Sequence, residues 1–452
     1  MSGFRCEAPS AGAVFRIAWP LTLKAIMLHG VVVIDAYLVS PLGETALAAL
    51  GLASAVAGLV LGALLAFANA MQIRTAQAVG TGEMTFIRSA FVSGLVTSGI
   101  AVSIGLVLVW SFGRDLLAAV AHDPSIAGEA WRYLSVFSIV LVIEALGQPL
   151  SSYFNGSGET RTPFHSYLLA VPVNVAASVV LIHGHLGLPA FGVAGAAMGS
   201  AVAALVQVGY LGFCISRRMA DFRRARGWQG GTFSRALWRH LAFALPIAAT
   251  FVSATAATHV CSMIYARLSV NEFAALTLIT PWVMVVGTVG MCWAQATGII
   301  VAQLLGQKAS SDILDRFLGT AWKAAFVAAT LVSAIYAGVC LASPWIYPTL
   351  HPETRATLLQ FLPILVFLPF PKQSNAICGN TLRAGGETIY VMNIFVWAQW
   401  LFRVPATALL VLYFHLPAAW VFSLILIEEV IKFPAFHLRL FKGRWKKGID
   451  PQ

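Results

Sequence analysis

Charge is what this sequence has least of: Asp, Glu, Lys and Arg together make up 10% of its 452 residues, against about a quarter in soluble chains. With 59% hydrophobic residues, that deficit excludes an ordinary water-soluble domain and makes the chain an integral membrane protein. Acids are scarcer than bases, which leaves a formal charge of +11. The basic excess lies in short segments between hydrophobic runs, the pattern of positive-inside topology, so no nucleic-acid partner is expected. Cysteine is sparse too. There is no CxxC, and Cys214, Cys261, Cys292, Cys340 and Cys378 stand in apolar runs, which reads as packing and not as disulfides or metal ligands. The sequence also lacks a GxxxxGK[ST] loop, an HExxH pair and any Ser/His/Asp spacing that stands out. A nucleotide-driven motor and a membrane-embedded enzyme both lose their usual signatures, and no cofactor is expected.

What remains is long hydrophobic runs. Hydropathy and turn residues predict twelve spans, at 13–38, 45–78, 86–112, 127–152, 162–183, 192–216, 238–265, 272–305, 316–341, 356–382, 389–413 and 417–440. Each reaches or approaches the roughly 20 residues that cross a bilayer. The first run is itself span-length, which reads as a retained helix and not a cleaved leader. Short turn sequences join most spans, among them SPLGET, NGSGETRTP, HGHLGLP and RAGGET. The longest polar connection, between the sixth and seventh spans, carries Arg217, Arg218, Arg223, Arg224, Arg226, Arg235 and Arg239. An even number of spans separates it from each terminus, and the tail adds Lys442, Arg444, Lys446 and Lys447 to the same side. Both termini are therefore expected in the cytoplasm of a multi-pass protein of the cell (inner or plasma) membrane, with lipids and small molecules as partners and a monomer as the working state.

The halves repeat each other. At an offset of 226, Ala18-Trp-Pro20 falls on Ala244-Leu-Pro246, Ala48-Ala-Leu50 on Ala274-Ala-Leu276, Asn69 on Gln295, and Ala76-Gln77 on Ala302-Gln303. An offset of 228 aligns Gly158-Glu-Thr160 with Gly386-Glu-Thr388 and Leu188-Pro-Ala190 with Leu416-Pro-Ala418. Six spans per half give both halves one orientation. The expected fold is all-α, with two six-helix lobes related by a pseudo-twofold axis along the membrane normal. The expected division is an amino-terminal lobe (1–216), a basic cytoplasmic linker (217–237) and a carboxy-terminal lobe (238–452). Parallel repeats of this kind are typical of secondary transporters that bind substrate between the halves and alternate access by rocking.

The polar residues inside the spans are the candidate site. Asp35 in the first span is the leading one, since an acid costs about 2.5 to 3.5 kcal/mol at a span centre and marks an ion or substrate path. Lys24 lies eleven residues earlier on nearly the same helix face. Pro172 and Asn174 share the fifth span, where proline frees a backbone carbonyl that can coordinate a cation. Glu144 and Gln148 share a face of the fourth span. At the offset of 228 Glu144 falls on Lys372, which stands in the tenth span near Asn375. These opposite charges either pair across a central cavity or each serve their own lobe. Asn69 and Gln295 complete the set of expected cavity polar groups.

These residues resemble the multidrug and toxic compound extrusion (MATE) family of secondary transporters, nearly end to end. The resemblance rests on the first-span acid followed by ALAALG, on GSGETRTP, on VNVAASVVLIHGHLGLPAFGVAGAAMGSA from Val173 to Ala201, and on LRAGGET from Leu382 to Thr388. It implies two six-helix lobes in a V and export of bulky, often cationic compounds in antiport with H+ or Na+. Carried over by motif, the amino-terminal cation site would use Asp35, Asn174, Ser178 and Ser200, with Na+ at Asp35 as the alternative to a proton. Two departures matter. Ser178 stands where some members have an acid or an amide, which favours protons. The seventh span lacks the glutamate of other branches, and Lys372 replaces an acid, so no cation site is expected in the carboxy-terminal lobe. The related fold also accommodates a flippase for lipid-linked or amphipathic intermediates, with Lys372 and Lys24 as its cationic hint.

Overall fold

The computed structural model describes residues 9–121, 123–348 and 350–447, and no strand occurs among them. The apolar runs form helices because, inside a bilayer, a helix satisfies its own backbone hydrogen bonds. In the first half α1 (Ala11–Val39), α2 (Glu44–Thr81), α3 (Met84–Val120), α4 (Pro124–Gly156), α5 (Arg161–His183) and α6 (Val193–Ser216) follow in order, and the short α7 (Met219–Arg224) lies in the basic connection. Their ends follow local chemistry. Helix α2 stops at Gly82 and α5 at Gly184, both in the left-handed region (φ 71° and 74°), which glycine enters without a Cβ penalty. Helix α4 opens on Asp123, whose carboxylate accepts from the Ser125 amide at 2.7 Å, and on Pro124, which has no amide to satisfy.

The second half contains α8 (Phe233–Tyr265), α9 (Val270–Gly306), α10 (Ser311–Ile346), α11 (Pro352–Gln360), α12 (Leu362–Phe367), α13 (Pro369–Ala384), α14 (Thr388–Trp397), α15 (Val404–Ala408) and α16 (Ala418–Phe441). The repeat is visible in the helix boundaries, with α2 starting at Glu44 and α9 at Val270. Ten helices among the described residues are long and apolar enough to cross a membrane, counting Thr388–Tyr413 as one, and the bent run from Pro352 to Ala384 raises this to 11 if counted as a single span.

Two of the twelve expected spans thus differ from plain apolar helices. The tenth is broken at Pro369, where the axis turns by 44°, because the prolines of LPILVFLPFP cannot continue a hydrogen-bond ladder. At the twelfth, any 18-residue stretch of α16 includes Glu428, Glu429 and Lys432, more charge than an apolar span carries. The helix Thr388–Tyr413 widens into π-turns at Ala398–Arg403 and Leu409–Tyr413. Such insertions are rare and collect at functional sites.

The chain divides into two compact units, residues 23–248 and residues 249–447 with 9–22. In the first, α2 packs on α4, α4 on α6 and α5 on α6. The core is built from small residues, Ala49, Ala53 and Ala57 against Leu134, Leu141, Ala196 and Ala197, which lets backbones approach where no hydrophobic force drives helices together. Approach is closest at the α5–α6 seam. A Cβ built on Gly195 would lie 2.6 Å from the Leu181 carbonyl, and one on Gly199 would lie 2.8 Å from the Ser178 amide. Gly195→Ala is accordingly expected to destabilise the protein by about 1 to 3 kcal/mol through overpacking, read as a lowered thermal midpoint of purified protein. A seam that tolerates the methyl unchanged would contradict this packing.

The second unit packs α9 against α10 and α13, and α13 against α16. Its core joins Leu276, Ile279, Tyr336, Leu365 and the stacked pair Phe361 and Phe422, with ring centres 4.4 Å apart. Large apolar side chains such as Val33, Trp110, Trp345, Trp397 and Leu401 are exposed on the helix surfaces, which is what a lipid-facing surface requires.

Candidate functional site

The first unit encloses a cavity of about 450 Å³, within the range that holds a drug-sized ligand. Most of its wall is apolar, including Leu28, Val31, Leu61 and Val140; its polar points are Asp35, Ser54, Tyr133, Glu144, Gln148, Tyr167, Asn174, Ser200 and Gln207. Asp35 comes from α1, Glu144 and Gln148 from α4, Asn174 from α5 and Ser200 from α6. Four helices therefore bring these polar groups to one cavity.

Asp35 is 7% exposed and its Oδ1 has no hydrogen-bond partner among the described residues. Ser200 and Tyr133 stand beside it. Asn174 Nδ2 donates to Ser200 Oγ at 3.1 Å, which leaves the Asn174 Oδ1 without a partner. Asp35 and Ser200 are thus neighbours in a mostly apolar wall, and Asn174 joins them through its amide nitrogen on Ser200. Ser178, the fourth residue of that expected set, does not line the cavity. Its side chain is fully buried and its Oγ lies in the α5–α6 seam, where the missing Cβ of Gly199 makes room for it.

The other expected residues separate. Glu144 lines the same cavity and accepts from Gln148 Nε2 at 2.6 Å. Lys24 does not line it: its Nζ donates to Ser151 Oγ on α4 at 2.6 Å and sits 4.9 Å from the centre of the Tyr167 ring. Asn69 and Gln295 are half-buried on α2 and α9 and line neither this cavity nor the notch beside Lys372. Cys261, the repeat counterpart of Asp35, is buried with its Sγ 3.8 Å from Thr407 Oγ1. The two acids of the first cavity have no acidic counterparts at matching positions of the second half.

In the second unit Lys372 and Asn375 belong to a charged cluster whose other members the sequence reading passed over. Lys432 Nζ bridges Glu428 at 3.1 Å and Glu429 at 2.8 Å, and Arg403 approaches Glu428 at 3.6 Å. Asn375 Nδ2 donates to the Glu429 backbone carbonyl at 2.7 Å and to its carboxylate at 2.9 Å. Lys432 is 3% exposed and Glu428 5%. Charges this deep persist only when paired and hydrogen-bonded. The signal was present in the sequence, since Glu428 and Glu429 precede Lys432 by four and three residues, the spacings that meet on one helix face.

A protein-family model described as MatE matches this chain twice, over residues 20–180 and 246–409. Among curated proteins, the chain is 28% identical over 186 residues to a "Probable multidrug resistance protein NorM" of Rhodopseudomonas palustris, covering 41% of this chain and 39% of that protein. It is 20% identical over 440 residues to the "Uncharacterized transporter YisQ" of Bacillus subtilis, covering 97% of this chain and 96% of that one. The alignment with the NorM relative thus spans about two fifths of its length, whereas that with YisQ runs nearly end to end. Among solved structures, one described as "MATE in the bent conformation" superposes with a TM-score of 0.86 at 18% identity, covering 99% of both chains.

Proposed function

The chain belongs to the MatE family, and from that membership together with the Asp35 cavity we propose that it is a secondary active exporter of organic, often cationic compounds, working by alternating access in antiport with protons. The observation that carries the proposal is a buried carboxyl with an unpartnered oxygen in the wall of a ligand-sized apolar cavity. A cationic compound with an apolar body fits such a wall. A proton and that cation compete for one negative charge, and this competition is what antiport requires. We assign coupling to Asp35, with Asn174 and Ser200 orienting its carboxyl and Ser178 supporting the α5–α6 seam behind them. One carboxylate, one amide oxygen and one hydroxyl, from Asp35, Asn174 and Ser200, make a thin shell for a hard metal cation, which prefers a fuller set of oxygen ligands. That favours H+ over Na+.

The architecture that accompanies this reading is twelve spans in two six-helix lobes related along the membrane normal, with both termini cytoplasmic in the cell membrane. Supporting it are the two MatE matches, which begin 226 residues apart, the offset of the internal repeat. The flippase alternative calls for a cationic cavity. The acids Asp35 and Glu144 in the cavity wall, and the engagement of Lys24 with Ser151, weigh against it.

Purified protein in liposomes tests the proposal directly. A cationic fluorescent dye is expected to move against its gradient when a pH gradient is imposed, and equally well without sodium. Movement driven by sodium alone would overturn the proton assignment. No movement under either gradient would overturn the export reading itself.

A further inference from the structure

The basic connection between α6 and α8, expected as a plain linker (217–237), is folded against the first unit. Thr85 and Arg88 of α3 donate to the backbone carbonyls of Arg226 and Ala225, at 3.3 and 2.7 Å, and Ser89 Oγ accepts from the Gln229 amide at 3.0 Å. Phe222 of α7 is buried and stacks on Phe91, with ring centres 5.3 Å apart. Gln229 is thereby brought to Arg74 on α2, whose Nη2 donates to Gln229 Oε1 at 3.1 Å. Gly230 and Gly231 follow in the left-handed region, at φ 79° and 89°, which glycine enters without a Cβ penalty. They turn the chain back into α8, which brings Arg239 and His240 beside Arg74. All of these residues belong to the first compact unit.

This corner holds positive charge and no negative charge. Arg74 is 8% exposed, and a guanidinium does not give up its proton in a protein. The charged neighbours of Arg74 and His240 are Arg239 and Arg74, with no carboxylate among them. Neither arginine makes an ion pair among the described residues. Arg74 is offset only by the neutral Gln229 and by the Phe243 ring, whose centre lies 5.7 Å from its Cζ. A permanent charge buried with so little against it calls for an anion. Arg239 Nη1 and both His240 ring nitrogens are enclosed without partners, whereas Nε and Nη1 of Arg74 and Nε and Nη2 of Arg239 are unbonded and not enclosed. Those open N–H groups are the ones an anion can reach. Arg74 lies seven residues before the end of α2 at Thr81, and Arg239 six after the start of α8 at Phe233, about 10 Å along each helix. Trp238, beside Arg239, is 70% exposed, as in the aromatic belt at the headgroup level.

We propose that Arg74 and Arg239 bind one phosphate group, borne by the headgroup of an anionic phospholipid or free in solution. Two guanidiniums offer forked N–H pairs that match phosphate oxygens, and basic pockets between spans take phospholipid headgroups by this chemistry. Gln229 holds Arg74 in place, and Gly230 leaves room for Arg239, since a Cβ there would stand 3.1 Å from Arg239 Nη1. The folded connection is thus what assembles the site, from α2 on one side and α8 on the other. The site stands independently of the export reading.

The test is the thermal midpoint of the purified full-length protein in uncharged detergent, at constant pH and ionic strength. Three additions are compared: dioleoyl phosphatidylglycerol, a galactosyl diacylglycerol with the same chains and no phosphate, and sodium phosphate in place of sodium chloride. Wild type is expected to show a saturable rise of about 1 to 3 °C with the phosphate source that binds. Arg74→Gln and Arg239→Gln are each expected to lose it; Arg239 is half-buried, so its variant keeps the test decisive if Arg74→Gln does not accumulate. The double variant Arg223→Gln with Arg224→Gln removes two exposed charges of α7 and is expected to keep the rise. A response to phosphatidylglycerol without one to inorganic phosphate identifies a headgroup site, and a response to inorganic phosphate identifies a site open to the free anion. No saturable rise in wild type, an equal rise with the galactolipid, or a rise kept by both Arg74→Gln and Arg239→Gln overturns the proposal. A rise lost in the Arg223 and Arg224 double variant also overturns it, and assigns the effect to general attraction by a basic surface. Dye export under a pH gradient reports separately on the export reading.

Discussion

Asp35→Asn is expected to reduce gradient-driven export to background while leaving the protein folded and in the membrane. The amide matches the carboxyl in size, so the packing of α1 against the cavity wall is retained. It can neither bind and release a proton nor offer a negative charge to a cation. The chemical half of the antiport cycle is thus removed without disturbing the container. The protein is not expected to lose stability, because burying an amide costs less than burying an ionised acid. The informative measurement compares two modes in the same liposomes: uphill export driven by a pH gradient, and exchange of labelled for unlabelled substrate with no gradient. Export is expected to vanish. Exchange is expected to weaken but persist, since most of the cavity wall that holds the compound is apolar and unchanged. Asn174→Ala and Ser200→Ala are expected to lower export without abolishing it, since Ser200 supports the Asp35 carboxyl directly and Asn174 does so through Ser200. Uphill export at wild-type rate in Asp35→Asn would remove Asp35 from the coupling mechanism.

What the sequence disclosed and what it concealed follow from how each feature is encoded. Asp35 was legible because one acid in a long apolar run has few structural explanations, and Asn174 and Ser200 were legible through the family motif that contains them. The helix run and its repeat were legible because span length and turn glycines are local properties. Tyr133, Tyr167 and Gln207 were not, since an aromatic or amide at helical spacing reads the same whether it faces a cavity or a neighbouring helix. Ser178 shows the converse: a motif position marked it for the ion site, while the bare backbone of Gly199 drew its hydroxyl into the α5–α6 seam. Arg403 could not be placed from periodicity at all, because it lies in a π-turn, where an added residue rotates everything after it relative to a regular helix. The Glu428, Glu429 and Lys432 spacing was legible in principle, because acids four and three residues ahead of a lysine meet on one helix face.

That buried cluster carries the largest expected effect on stability. Lys432 touches both carboxylates, and its removal as Lys432→Met would leave Glu428 and Glu429 adjacent in sequence and nearly enclosed, with Arg403 at 3.6 Å from Glu428 and Lys372 as the more distant cation. Breaking a buried pair from one side typically costs about 3 to 5 kcal/mol, because the partner's desolvation is no longer offset. The loss here is expected at the upper end, since two acids share one lysine. The measured outcome is a large drop in the thermal midpoint of the purified protein, or failure to accumulate in the membrane. A second substitution separates charge from shape. Glu429→Gln keeps an oxygen for the Asn375 amide to donate to, so Lys432→Met with Glu429→Gln removes one cation and one anion and retains that hydrogen bond. The double variant is expected to recover most of the lost stability, with a coupling between the two sites of more than about 1 kcal/mol. If the two losses simply add, the lysine supports α16 through packing alone. Recovery would establish that the cluster is held by charge compensation between α13, the π-turn at Arg403 and α16.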